Sequence, residues 1–203
     1  MQKIKLVSLI FLSVFIIACS TNPFKTTIVE PDNPLWHNHK AQLLKLNHWI
    51  LLGRFGAKNE EESWSGNLNW RQNDSEYEVH ISAPLSGGSF ILSGNQWQST
   101  LQVSENDIYS ASDGEVLLAR YTGLHLPVNN LRYWLIGLPS PNAGGHLIEI
   151  DESGRIVKLN QQGWQISFHR YQQVNEIDLP NKIFLENHEF NVRLVIQSWD
   201  LLS

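Results

Sequence analysis

Apolar and polar positions follow different periods along the chain. Leu6 to Ile17 form one unbroken apolar run behind Lys3 and Lys5. That run is short for a membrane span and has the layout of a secretory leader. Residues 20–33 are polar and aperiodic, which reads as a tether. Asn33-Pro34 then starts a helix, with Asn as N-cap and Pro in the first turn. Trp36, His39, Leu43 and Leu46 recur at helical spacing to about Asn47. From there to residue 111 the period is two. Trp64, Gly66, Leu68 and Trp70 share one face, as do Tyr77, Val79, Ile81 and Ala83, and then Trp97, Ser99, Leu101 and Val103. The pattern predicts half-buried antiparallel strands joined by short turns such as Gln72-Asn73-Asp74-Ser75.

A helical interlude follows. Ser112-Asp113-Gly114-Glu115 reads as a capping box leading into Val116, Leu117 and Leu118, and Gly123 stops that helix. A second short helix is predicted over about 129–136, ended by Gly137. Strands resume over 146–151, 155–161, 164–171, 181–187 and 189–199. The expected fold is mainly β (α+β): one domain over 34–203, with ten or eleven antiparallel strands curled into an incomplete barrel and two or three short helices against it. The converging apolar faces enclose either a ligand cavity or a core filled by the helices.

Composition narrows the function. A hydrophobic fraction of 42% against 17% charged excludes disorder. The net charge is −5, and loss of the leader removes two lysines, so a nucleic-acid partner is not expected. Eight Trp suit a protein that handles greasy ligands or sits at a membrane interface. No nucleophile elbow, H-E-x-x-H or phosphate loop is present. His37 and His39 point apart on a helix, and Glu60-Glu61-Glu62 reads as a solvated hairpin loop. No enzyme activity, cofactor or metal site is expected.

The single cysteine, Cys19, follows Ile16-Ile17-Ala18 where the leader should be cleaved. This resembles the lipobox of bacterial lipoproteins, with residues 1–18 as signal peptide and 19–33 as lipidated Cys and tether. Ser20 stands where an Asp commonly retains such proteins in the inner membrane, so the resemblance implies the outer membrane. Several acyl chains would make that anchor effectively permanent.

The stretch from Thr122 to Pro139, TGLHLPVNNLRYWLIGLP, is similar to the T-G-x-x-x-P-x-x-x-L-R-x-W-x-x-G-L-P of the LolB family. Trp36-x-x-His39, Gly53-Arg54-Phe55, Trp70-x-Gln72, Pro84-Leu85, Gln161-x-Gly163-Trp164, Leu179-Pro180 and Trp199 follow in family order. Where the family often has Gly after Pro-Leu, Ser86 precedes Gly87-Gly88. The resemblance implies an incomplete barrel with a helical lid over an apolar cavity. It implies a monomeric acceptor that takes the acyl chains of lipoproteins from the periplasmic carrier LolA and inserts them into the outer membrane. A lipocalin-like lipoprotein binding a small apolar ligand is the alternative. Trp49, Trp64, Trp70 and Trp97 are candidates for the cavity wall, with plain core packing as the competing role. Leu131 and Trp134 are candidates for the lid. Leu85 is expected at a protruding tip that the family ties to membrane delivery. Arg132 reads as a structural ion-pair or helix-end residue, and Arg54 as a partnered side chain at a strand edge.

Overall fold

The computed structural model describes residues 30–83 and 88–202. The described residues form three helices and eleven strands in the predicted order. Helix α1 is Pro34–Leu43. Strands β1 His48–Lys58, β2 Ser63–Asn73, β3 Glu76–Ala83, β4 Gly88–Gly94, β5 Ser99–Gln102 and β6 Ile108–Ala111 come next. Helices α2 Gly114–Thr122 and α3 Val128–Leu135 separate them from β7 His146–Ile150, β8 Ile156–Gln161, β9 Trp164–Val174, β10 Ile177–Glu186 and β11 Asn191–Leu201.

All strands join one antiparallel sheet in the order β6-β5-β4-β3-β2-β1-β11-β10-β9-β8-β7. The chain meanders outward from β1 to β6, crosses through α2 and α3 to the far edge, and meanders back until β11 pairs with β1. Among the described residues β6 and β7 are unpaired edges, so the barrel is incomplete. The inward-facing positions of the strands and the buried faces of the helices merge into one apolar core.

The helices follow their local chemistry. The Asn33 side chain accepts from Leu35 N at 2.8 Å and Trp36 N at 3.3 Å, starting α1 as predicted. Trp36, His39 and Leu43 are buried along one face. The helix stops at Leu43, short of the predicted Asn47, because tight turns over residues 42–47 redirect the chain into β1. Gly154 in the β7–β8 turn has φ +77°, and a Cβ there would lie 2.5 Å from Leu35 C and Trp36 N, so that turn seats directly on the start of α1.

Three local expectations need correction. The cap of α2 is Asp113 rather than Ser112, its carboxylate accepting from Glu115 N at 3.0 Å. β5 begins at Ser99, because Asn95 Oδ1 accepts from Trp97 N at 2.8 Å and Gln98 N at 3.1 Å and holds those residues in a turn. β10 begins at Ile177, upstream of Pro180, which is tolerated because the register shifts there.

Candidate functional site

The concave side of the sheet and the α2–α3 segment enclose a cavity of about 50 Å³ whose wall is apolar throughout. Phe55, Leu68, Trp70, Val79, Ile81, Phe90 and Leu92 supply the β1–β4 side, and Leu185, Val192 and Leu194 the β10–β11 side. Leu118 of α2, Leu124 and Leu126 of the connecting loop, and Val128, Leu131 and Leu135 of α3 form the roof. Alternation in the strands and the i, i+3, i+7 spacing of Val128, Leu131 and Leu135 aim these side chains at one space.

Most of the roof is the TGLHLPVNNLRYWLIGLP stretch. Gly123 closes α2 in the left-handed conformation, φ 73°, its N–H donating to Ala119 O. That turn sends Leu124 and Leu126 down into the cavity. The α3 side of the roof is bolted to the sheet. Gln161 Oε1, at the end of β8, accepts from Trp134 Nε1 at 2.9 Å and Ser140 N at 2.8 Å, and Gln161 Nε2 donates to Ser140 O at 2.8 Å. Ser140 Oγ donates to Asn130 Oδ1 at 2.8 Å, and Asn130 Nδ2 donates to Gln162 Oε1 at 2.6 Å. Among the described residues helix α2 has no comparable bond to the sheet. Leu117 and Leu118 are buried beneath it, and Tyr121 stacks on Tyr109 of β6 with ring centroids 3.9 Å apart.

The predicted site residues divide clearly. Trp70 and Leu131 line the cavity. The Trp70 indole N–H is satisfied away from that wall by Gln72 Oε1 at 3.0 Å, and Gln72 itself donates to the carbonyls of Asp74 and Glu76. Trp49 is buried between Trp70 and Trp199, with ring centroids at 6.1 and 5.2 Å, and belongs to the core below the cavity. Trp134 is fully buried against Trp164 and fastens the roof without facing the cavity. Trp64 packs on Phe190 at the barrel rim. Trp97, in the turn before β5, is 76% exposed and faces solvent. Cavity residues that sequence reasoning did not single out include Phe90, Leu92 and Leu194. Their signal was ordinary strand alternation, which marks an inward face but not which part of it stays open.

Arg132 has no ion-pair partner among the described residues. Its guanidinium lies 4.6 Å from the Tyr133 ring centroid, donates to Tyr133 Oη at 2.7 Å and reaches Asp74 O at 3.4 Å, tying α3 to the β2–β3 turn. Arg54 is exposed on the outer face of β1, a central strand of the sheet, rather than paired at an edge.

Among the described residues no titratable group lines the cavity. Two perturbed groups lie beside α2, where burial raises the Tyr77 phenol and the Glu115 carboxyl, the latter with Asp113 adding to the effect; the others lie under α1 and at its start. Burial depresses the His39 imidazole, with Arg155 adding to the effect against the opposing pull of Asp178 and Asp151. Its Nε2 has no hydrogen-bond partner. Burial raises the Tyr171 phenol, whose hydroxyl donates to Ile156 O at 2.6 Å. Burial would raise the Glu30 carboxyl, but donors from Lys40, His146 and Trp36 outweigh it and hold it below the ordinary range. Those donors lie at 2.8, 2.9 and 3.2 Å. Glu30, within the stretch read as tether, is therefore docked on the barrel.

The loop carrying Leu85 joins paired strands, with Ala83 opposite Gly88. Leu85 and Cys19 themselves lie outside the described residues.

Residues 47–199 match the family model described as "Outer membrane lipoprotein LolB". The outer-membrane lipoprotein LolB of Nitrosococcus oceani is 35% identical over 195 residues, 96% of either chain. That of Pseudomonas aeruginosa is 36% identical over 170 residues, 84% of this chain and 82% of its own. Among solved structures, a LolA superfamily protein from Nitrosomonas europaea superposes with a TM-score of 0.55 at 8% identity, over 81% of this chain and 94% of that one. A putative outer membrane lipoprotein-sorting protein domain from Vibrio parahaemolyticus gives a TM-score of 0.51 at 11% identity, over 83% and 91%. The fold is thus shared with these two structures, and by sequence the chain belongs to the LolB family of outer-membrane lipoproteins.

Proposed function

We propose that this protein, an outer-membrane lipoprotein anchored through Cys19, accepts the acyl chains of other lipoproteins from a LolA-type periplasmic carrier and passes them into the outer membrane. The observation that supports this most is the cavity wall, which presents no polar side chain between the sheet and the α2–α3 roof. Such a wall offers nothing to orient a polar substrate and everything needed to shield a hydrocarbon chain. Each methylene taken out of water contributes ~0.8 kcal/mol, so a long acyl chain carries on the order of 10 kcal/mol of transfer free energy. A cavity of about 50 Å³ has room for little more than small solvent molecules. An acyl chain enters only if the roof moves. Direction needs no nucleotide, only ranked affinities from carrier to acceptor to bilayer, with each tenfold step worth ~1.4 kcal/mol.

The test is binding of a fluorescent acylated peptide to the mature chain carrying Cys19→Ala, compared with the same chain carrying Leu131→Glu. The Cys19→Ala chain is expected to be soluble and folded and to bind the probe. A carboxylate in the roof should weaken binding at least tenfold, because the bound chain would then desolvate a charge. Equal binding by the two folded proteins would contradict the reading.

A further inference from the structure

The outer face of β9, β10, β11 and β1 collects cations. In one cross-strand row Arg170 lies opposite Lys182, Lys182 opposite Val195, and Val195 opposite Arg54. In the next, Phe184 lies opposite Arg193 and Arg193 opposite Gly56, and Lys58 closes the face toward the rim. Like charges directly opposite one another are unfavourable in a sheet. Elsewhere on the outer surface the arrangement is compensated: Lys158 pairs with Glu149 at 3.6 Å, and Arg71 stands opposite Glu78. On these four strands the same face carries only Glu186 and Asp200, at opposite ends. No ion pair among the described residues involves any of these five cations or either carboxylate.

The cations also surround an aromatic ring. Lys182 Nζ lies 5.3 Å and Arg193 Cζ 5.8 Å from the Phe184 centroid, and the His169 ring meets it edge-on at 4.6 Å. A shallow groove lined by Phe184, Arg193, Lys58 and Trp64, with Glu186 at its side, runs beside it.

We infer that this face is a docking surface for the anionic phospholipid headgroups of the membrane that holds the protein. The charge spreads over a gently curved sheet, ~14 Å across three strand spacings, with no pocket to select a single anion. A basic surface with an embedded aromatic ring suits the headgroup layer. The tether points the same way. Glu30 is clamped by His146 at the start of β7, two strands from β9, and ten residues separate it from Cys19. The eleven peptide steps from Cys19 to Glu30 reach at most ~40 Å, which keeps the barrel close to the bilayer. The inference rests on the membrane-anchored reading for the identity of the surface, and not on acyl binding in the cavity.

The test uses the mature chain with Cys19→Ala, so that the anchor does not dominate, in co-sedimentation with phosphatidylethanolamine vesicles with and without phosphatidylglycerol. Preferential binding to the anionic vesicles, weakened by salt, is expected. In R170Q/K182Q/R193Q it should fall on the order of a hundredfold, with an unchanged or higher thermal midpoint as cross-strand repulsion is relieved. The charge-preserving R170K/K182R/R193K should retain it. Binding indifferent to phosphatidylglycerol would overturn the inference. So would loss of vesicle binding in the charge-preserving protein, or a folded triple-Gln protein that binds vesicles fully but no longer meets the carrier, which would assign the face to an acidic protein. Acyl-peptide binding, measured on the same proteins, should be unchanged, so failure of the cavity reading is seen separately.

Discussion

At the scale of single residues, two side chains make sharp tests. Leu85 follows Pro84 in the connection between β3 and β4, where polar residues are the rule. One buried Leu contributes only ~1.5–3 kcal/mol, enough to bias a loop into the lipid interface but not to anchor a protein. We expect Leu85→Glu to leave stability and acceptance from the carrier intact while transfer onward to liposomes fails. A two-stage transfer assay checks this, and an unchanged second stage would remove the tip from the mechanism. His39 is 8% exposed and buried neutral beneath α1. Its depressed basicity means the unfolded chain binds the proton more readily than the folded one. The stability it contributes is therefore complete above an unfolded value of about 6.5 and declines as pH falls below it. The denaturant midpoint should fall from about pH 7.5 to about pH 5.5, and the fall should be smaller in His39→Leu. An identical pH slope in the two proteins would show that another group titrates. Both residues were visible in the sequence, His39 through its place beside Trp36 on one helical face. Its missing hydrogen-bond partner was not visible, because that depends on Tyr171 and Arg155, more than a hundred residues away.

At the scale of elements, strand alternation and helix punctuation were legible because they are local. Asn33, Gly123 and Gly137 sit where caps and stops were expected. Errors arose where a side chain competed with the backbone pattern. The Asn95 carboxamide turns Trp97 out of β5, and the Asp113 carboxylate takes the cap from Ser112. The unequal fastening of the roof was not legible at all. Gln161 stood out only as part of a family-like motif, and its bonds to Trp134 and Ser140 appear only when α3 is laid against β8. We expect amide hydrogen exchange to be faster in α2, held by apolar contacts, than in α3. Gln161→Leu would leave the Trp134 and Ser140 N–H groups without acceptors, at ~1–3 kcal/mol each. It should lower the thermal midpoint and bring α3 exchange toward that of α2. Slower exchange in α2 than in α3 of the unmodified protein would place the moving part of the roof elsewhere.

At the scale of the molecule, the sequence carried the architecture further than the site. Eleven alternating segments interrupted by two short helices leave few arrangements other than a curled antiparallel sheet with a helical plug. Which inward residues face open space depends on curvature and helix placement, and no single segment encodes these. Trp49 and Trp70 alternate inward alike, yet only Trp70 reaches the cavity wall. The incomplete barrel and its apolar interior support the proposed task, moving hydrocarbon between surfaces without exposing it to water. The most direct measurement is to incubate a carrier loaded with a purified lipoprotein with this protein, in buffer without nucleotide or membranes, and separate the two by size and tag. The lipoprotein should be recovered on this protein. Recovery on the carrier alone, with both proteins folded, would contradict its role as acceptor.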